Sequence, residues 1–500
     1  MNRAFDPGRG ERPAYRLSKV LGVLAIVASG VAGEFGAGIN FVAVQSLGVY
    51  PAVRDLVPLA MLVTGLVVAS KTLLYARFSA AMPRAGSAYV WIARGLNLPA
   101  GFIASFLWWI SVTAAMGFIA FAFSTFLGQA FIAIGLPGHV LMTPAGRLVI
   151  GLGAIWGIFA IHASGVRHYG RFVTVLLGVI VLTAAVIAGF GFATPPGRFV
   201  SLVGSRLHLV LAPPAHPQSG TLGAFLSVCT LFVFAYGGIS AAPALGGEAR
   251  DAGHTMPRGI VLGWLVAVVL YTVVTAALFH AAPWWAVLGL IRSHHAALAT
   301  APGLIGIVAP RWIGVIVDFA VALIVGKTLA PQMMITSRIL FAWGEDRMVP
   351  ARFAETSGRR VPVAALATTA GLASLFLVQS VFVGWALGVI VRSLSLLIVW
   401  LLVALAALNI RFSGRFRGTA WTAGLARSPW VLAAAVVSVP ITLVLIAAVS
   451  VLPHTPLAFQ PLFQSAVAAI IAAGLVLWAR TRAATRGESL ADIALRVPVE

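Results

Sequence analysis

The chain has 500 residues, of which 60% are hydrophobic and 9% are charged, and its formal net charge is +21 at pH 7. Soluble domains carry about 25% charged residues, so this composition excludes a water-soluble globular protein. The basic residues occur in short clusters between apolar runs, which excludes the continuous basic face or tail of a nucleic-acid-binding protein.

The apolar runs predict twelve membrane-spanning helices, because each is near the length of about 20 residues that a bilayer requires. The first run is too long for the core of a signal peptide. The expected fold class is therefore an all-α polytopic membrane protein. Its predicted spans, numbered 1 to 12 in chain order, are 20–49, 56–81, 100–127, 146–162, 172–194, 221–246, 259–282, 313–341, 362–384, 385–410, 430–452 and 459–480.

The basic residues also orient these spans. If the N-terminus is inside and basic residues within four positions of a span's end are counted with the adjoining segment, 25 of the 34 lysines and arginines are cytoplasmic, six are outside and three lie deeper within spans. The positive-inside rule then places both the N-tail, 1–19, and the C-tail, 481–500, in the cytoplasm. We expect a multi-pass protein of the plasma membrane.

Two spans carry glycine clusters near their centres, at residues 33–40 (GEFGAGIN) and 234–238 (FAYGG). Glycine weakens a helix, and freed backbone groups are tolerated in a membrane only where protein or a wet cavity satisfies them. Clusters at matching places in two five-span halves, 20–194 and 221–410, indicate an inverted-repeat transporter with its site at mid-depth. Spans 11 and 12, 430–480, follow these halves. The alternative is close packing of helices through small residues.

Four motifs occur in the order found in one transporter superfamily. They are GAGI at 36–39, MPRAGSAYV at 82–90, FAYGG at 234–238 with Glu248 and Pro257-Arg258, and SRIL at 337–340 with Asp346 and Pro350. Over residues 20–412 they resemble the amino acid-polyamine-organocation superfamily of permeases, in its amino acid permease branch. The chain departs from the pattern at Asp251-Ala252, where Asn-Pro is usual.

The resemblance implies a five-plus-five inverted-repeat (LeuT-like) fold with two further C-terminal helices, and a substrate held between unwound segments of spans 1 and 6. In the family pattern, helix-end amides bind the substrate carboxylate, carbonyls bind the ammonium, and Phe234 also closes the site from outside. Such recognition selects an α-amino acid but not its side chain. The substrate-binding residues implied are Glu34, Gly36, Ala37, Gly38, Ile39, Phe234, Ala235, Tyr236, Gly237 and Gly238.

Two charged residues, Glu34 in span 1 and Lys327 in span 8, lie near mid-depth. A charge there costs about 2.5 to 3.5 kcal/mol on insertion scales, so it normally faces a cavity or a partner. The resembled fold has a cation site between these two spans, and one branch fills it with a lysine from span 5, where this chain has Ile180. We therefore predict that Glu34 and Lys327 face each other and couple transport to protons. The alternatives are a fixed ion pair, or a Lys327 amine bound to free carbonyls; Lys71 and Arg392 are assigned structural or gating roles.

The expected function is secondary transport of amino acids, driven by protons or by exchange. One alternative is a permease for polyamines or other organic amines, which Glu34 would suit; another is a non-transporting sensor or channel. Short tails disfavour a sensor, and nearly apolar spans disfavour a channel pore. No phosphate-binding loop of the type GxxxxGK[ST] occurs, and no enzymatic activity, cofactor or metal is expected. The expected partners are an amino acid, the lipid bilayer and protons, with no nucleic acid; the sequence carries no signal for an oligomeric state.

Overall fold

The computed structural model describes residues 17–36, 38–214, 221–293, 295–383, 387–416, 422–450, 457 and 460–495. Within them the secondary structure is helical, with one isolated bridge between Leu21 and Ala249 and no β-strand. Twelve helices in these residues are long and apolar enough to cross a membrane, which confirms the predicted count. Their bounds are Val23–Val49, Pro51–Ala81, Leu98–Ala133, Pro144–Ala163, Val166–Ala193, Leu222–Glu248, Ala252–Ala281, Arg311–Glu345, Val363–Val383, Arg392–Phe412, Pro429–Ser450 and Pro461–Ala484.

Short helices connect several of these spans. They are Ala88–Gly95 between spans 2 and 3, Pro196–Leu207 between spans 5 and 6, Trp284–Arg292 and Ala301–Val308 between spans 7 and 8, Ala423–Arg427 before span 11 and Leu490–Leu495 after span 12.

Side-chain caps define where some spans begin. Asn97 accepts a hydrogen bond from the Ala100 amide at 2.8 Å, and Thr143 and Thr221 accept in the same way from the amides three residues ahead at 3.1 Å. Such caps satisfy amides that have no acceptor within the helix. Proline in the first turn of spans 3 and 4 suits a position that needs no hydrogen-bond donor.

Spans 1 and 6 are interrupted where the glycine clusters predicted. Span 1 is α-helical over Val23–Glu34, bends, and resumes with a π-helical turn at Gly38–Val42 before the α-helix Ala43–Val49. Span 6 is α-helical over Leu222–Phe232 and then continues as two 3-10 segments, Ala235–Ala241 and Pro243–Glu248. Both interruptions therefore change the α-helical hydrogen bonding of backbone amides and carbonyls at mid-span.

The two interrupted spans pack against each other through backbone. A Cβ atom on Gly33 would lie 2.5 Å from the carbonyl oxygen of Gly238, so neither position has room for a side chain. The chain before span 1 also joins the end of span 6, because the amides of Val20 and Leu21 donate to the Glu248 carbonyl at 2.9 and 3.0 Å. The division into repeats 20–194 and 221–410 stays a prediction.

Span 8 has a milder interruption at Thr328, between the helices Arg311–Lys327 and Leu329–Glu345, where the backbone keeps helical dihedral angles. Pro331 explains this break, since its ring opposes the carbonyl four residues earlier, at Lys327, and it has no N–H to donate. The Thr328 amide instead bonds to Val325, three residues back, at 3.1 Å. Span 8 is predicted as one spanning helix and is one, Arg311–Glu345, and Pro331 is the sequence signal for the interruption within it.

Candidate functional site

A cavity of about 210 Å³ lies where the interruptions of spans 1, 6 and 8 meet spans 3 and 10. Most of its wall is apolar, and its polar side chains come from four residues on spans 1, 8 and 10. The lining residues are Gly33, Glu34, Gly36, Gly38, Phe41, Val42, Ala115, Phe118, Ile119, Ala122, Phe234, Ala235, Val325, Thr328, Gln332 and Arg392.

Five of the ten residues predicted to bind substrate line this cavity: Glu34, Gly36, Gly38, Phe234 and Ala235. Ala37 lies outside the described residues.

The other four predicted residues face neighbouring helices. Ile39 is fully buried in the core, and the Tyr236 hydroxyl donates to the Met61 carbonyl at 3.0 Å. Gly238 lies against the backbone of span 1, and a Cβ atom on Gly237 would meet the Leu396 side chain at 3.1 Å. These contacts give the second half of the FAYGG motif a packing role in this structure.

The Glu34 carboxylate is buried and lines the cavity. The Ile239 amide lies close to it, but neither carboxylate oxygen makes a hydrogen bond of ordinary geometry within the described residues. Its charged neighbours are the ammonium groups of Lys71 and Lys327. A buried acceptor whose hydrogen bonding is incomplete is costly, so this carboxylate is available to a ligand in the cavity.

Lys327 interacts electrostatically with Glu34, but its hydrogen bonds go to other groups. Its ammonium donates to the carbonyls of Ala32 and Phe35, at 2.5 and 2.7 Å. These carbonyls lie where the first half of span 1 ends, and a helix C-terminus carries partial negative charge. The geometry is that of the alternative in which the amine binds carbonyls freed by the break.

Arg392 also faces the cavity. With the Gln332 amide oxygen turned towards the guanidinium, both terminal nitrogens of Arg392 donate to it, at 2.9 and 2.8 Å. The guanidinium carbon lies 5.2 Å from the ring centre of Phe234 and 5.8 Å from that of Trp108. Arg392 is expected from the sequence to have a structural or gating role, and Gln332 is not among the predicted site residues. Gln332 follows Thr328 by one helical turn and so faces the same side of span 8.

Lys71 adds a third buried cation near the cavity. Its ammonium lies 5.2 Å from the ring centre of Tyr75 and interacts electrostatically with both Glu34 and Arg392. Among the described residues around the cavity, three buried basic side chains, those of Lys71, Lys327 and Arg392, therefore outnumber the buried carboxylate of Glu34.

The sequence profile of the amino acid permease family matches residues 19–477. The chain belongs to this family. It is 30% identical over 381 residues to the branched-chain amino acid permease BcaP of Lactococcus lactis subsp. cremoris, covering 71% of this chain and 73% of the relative. It is 23% identical over 432 residues to the mitochondrial cationic amino acid transporter 3 of Arabidopsis thaliana, covering 82% of this chain and 66% of the relative. It is 26% identical over 281 residues to the methylthioribose transporter of Bacillus subtilis, covering 54% of this chain and 56% of the relative. The predicted superfamily is confirmed.

Motif residues of this permease pair with one another near the ends of spans 6 and 8. Arg338 donates to both carboxylate oxygens of Glu248, at 2.6 and 3.3 Å. Arg94 makes a bidentate pair with Asp346 at 2.5 and 2.6 Å, and the Tyr89 hydroxyl donates to the same carboxylate at 2.6 Å. Burial and the Asp346 carboxylate raise the pKa of Tyr89 above its ordinary value. The second, third and fourth motifs therefore join the connecting segments of the bundle.

Proposed function

We propose that this protein is a secondary active transporter that moves amino acids across the plasma membrane. The observation that carries the proposal is the cavity at the interruptions of spans 1 and 6, with the buried carboxylate of Glu34 in its wall. Membership of the amino acid permease family supports it. The substrate ammonium would bind at Glu34. Two positive groups in the same wall could receive the carboxylate: the amides of the helix that restarts at Gly38 and the Arg392 guanidinium.

The rest of the wall favours a neutral amino acid with an apolar side chain. Phe41, Phe118, Ile119 and Val325 supply apolar surface, and Glu34 is the one carboxylate among the lining residues described. A polyamine or a cationic side chain would need a second acidic partner and would approach Lys71 and Arg392. The branched-chain amino acid named for the Lactococcus relative fits this wall.

Uptake by the purified protein in proteoliposomes tests the proposal. We expect saturable uptake of labelled leucine, weak competition by lysine and weaker competition by putrescine. The Glu34→Gln variant should lose most of this uptake, because a neutral amide cannot pair with the ammonium. Putrescine that competes better than every amino acid would contradict the proposal in favour of the organic-amine alternative.

We further propose that transport is coupled to protons and does not need sodium. The Lys327 ammonium binds two carbonyls at the break of span 1, and these are hard oxygen atoms of the kind that a metal cation uses. A second cation within reach would be repelled. An amine can release its proton during the transport cycle, whereas a guanidinium holds its proton.

Variants of Lys327 test this coupling. Lys327→Met should lower uptake at least about tenfold, since the carbonyls lose a charge-assisted hydrogen bond worth about 1.5 to 3 kcal/mol. Lys327→Arg should retain exchange of internal for external leucine but lose accumulation driven by a proton gradient. Lys19→Met, at an exposed position, is the matched control. Unchanged pH dependence in Lys327→Met, or a sodium requirement in the wild type at constant pH, would refute the coupling.

A further inference from the structure

We propose that Arg392 determines substrate specificity by binding a carboxylate of the substrate. This inference rests on the proposed transport of amino acids. In the family pattern backbone amides bind the substrate carboxylate, whereas here a side chain would bind it. It makes the carboxylate a requirement for binding and so separates amino acids from simple amines.

The surroundings of the buried arginines carry this inference. Three arginines in the described residues are at least 95% buried: Arg94, Arg338 and Arg392. Arg94 pairs with Asp346 and Arg338 pairs with Glu248, each through nitrogen–oxygen distances of 2.6 Å or less. Among the described residues, the Arg392 guanidinium contacts the neutral Gln332 amide and two aromatic rings, interacts electrostatically with Tyr271 and Lys71, and has no carboxylate partner. A buried guanidinium is normally paired with an anion, and the place of that anion here is the cavity that Arg392 lines.

The geometry of Arg392 leaves donors for a ligand. A guanidinium has five N–H groups in a fixed plane, and Gln332 accepts from the two terminal nitrogens. The Nε atom is buried and has no hydrogen-bond partner among the described residues. Gln332 and the Phe234 ring hold the group in one orientation, so a planar carboxylate can bind through two parallel hydrogen bonds.

The charges around the cavity give the bound substrate a direction. The Arg392 guanidinium supplies positive charge on span 10, whereas Glu34 supplies negative charge on span 1 in the same wall; Lys71 interacts electrostatically with both. A zwitterion therefore binds with its carboxylate towards span 10 and its ammonium towards span 1. A substrate without a carboxylate would leave the Arg392 charge unpaired.

Equilibrium binding of leucine and leucinamide to the purified protein tests the inference. Leucinamide keeps the ammonium and the side chain but has no carboxylate. In the wild type we expect leucine to bind about 10- to 100-fold more tightly, the range for hydrogen bonds to charged groups. Arg392→Gln should bring this affinity ratio close to one, because it weakens the binding of leucine but not that of leucinamide. Arg392→Lys keeps the buried charge without the planar fork and should give an intermediate ratio, which provides a second variant if Arg392→Gln does not fold.

Arg147→Gln is the matched control, because Arg147 also lies over an aromatic ring, Phe121, at 4.0 Å, but does not line the cavity. It should leave the ratio of leucine to leucinamide affinity unchanged. Binding of glutamate and glutamine shows which substrate carboxylate Arg392 contacts. If the wild type prefers glutamate and Arg392→Gln abolishes that preference, Arg392 binds the side-chain carboxylate. If the wild type binds glutamate and glutamine equally, Arg392 binds the α-carboxylate.

Two results would overturn the inference. If Arg392→Gln weakens leucine and leucinamide equally, Arg392 only supports the fold. If the ratio persists in both Arg392 variants, the carboxylate binds elsewhere, as at the Gly38 amide. In either case leucine would still bind the wild type, and the proposed function would stand. Failure of the wild type to bind any amino acid would instead refute the proposed function.

Discussion

At the scale of single residues, glycines of one sequence pattern have different roles. Gly36 and Gly38 line the cavity, whereas Gly238 only packs against the backbone of span 1; Gly33 does both, since it lines the cavity and contacts Gly238. The sequence places all four in the same two clusters. Which role each glycine has depends on what its Cα atom faces after the two spans have packed.

Gly238→Ala should destabilise the protein by about 1 to 3 kcal/mol, the usual cost of overpacking. The added Cβ atom would overlap the carbonyl carbon of Gly33 and the amide nitrogen of Glu34. Thermal unfolding of the purified variant in detergent measures the effect. Gly178→Ala is the control, since its Cβ atom would meet open space in the middle of span 5, and it should not lower the melting temperature. Equal melting temperatures for the two variants would show that spans 1 and 6 do not touch at Gly238.

At the scale of elements, each interruption has an identifiable chemical cause. Glycine clusters weaken spans 1 and 6, and Pro331 breaks span 8 at Lys327. The breaks in spans 1 and 8 also complement each other, because carbonyls freed in span 1 accept hydrogen bonds from the last residue of the first half of span 8. Together the breaks place polar groups in a membrane-embedded core.

The connecting helix Ala88–Gly95 is joined to the end of span 8 by the buried pair of Arg94 and Asp346. Asp346→Asn should cost about 3 to 5 kcal/mol, because it leaves the buried Arg94 charge without its partner. The neighbouring Arg347 forms an exposed pair with Glu488 at 3.9 Å, and Arg347→Gln should cost at most about 1 kcal/mol. Melting temperatures of the two variants check this difference. Similar shifts would mean that the Arg94 pair does not hold the connecting helix in place.

At the scale of the whole molecule, the segments that connect the twelve spans carry different numbers of basic residues on the two predicted sides of the membrane. Twenty-five basic residues lie on one predicted side and six on the other. The interruptions meet inside the bundle, so the cavity is enclosed by spans 1, 3, 6, 8 and 10 and not by one local segment.

Cysteine labelling tests the predicted orientation. The single cysteine, Cys229, is partly buried in span 6, and Cys229→Ala provides a background without thiols. On that background, Arg359→Cys and Thr485→Cys should react with a membrane-impermeant maleimide only after cells are permeabilised, whereas His139→Cys should react in intact cells. All three positions are exposed. Labelling of Thr485→Cys in intact cells would contradict the cytoplasmic C-tail.

The sequence by itself determined the fold class, the number of spans, the places of two interruptions and the family. Each depends on local composition: apolar length fixes a spanning helix, glycine clusters fix a break, and motif residues keep their order along the chain. Glu34 was also identified from sequence, since a carboxylate at mid-depth needs a cavity or a partner whatever the packing.

Only the tertiary structure decided which partners the buried charges have. The Lys327 ammonium contacts two carbonyls of span 1 and not the Glu34 carboxylate, because the ends of broken helices come closer to it than that side chain does. Arg392 and Gln332 lie far apart in sequence and meet at the cavity only when spans 8 and 10 pack. Hydrogen bonds and ion pairs act over a few ångströms, so sequence patterns that specify helices cannot specify which distant side chains they bring together.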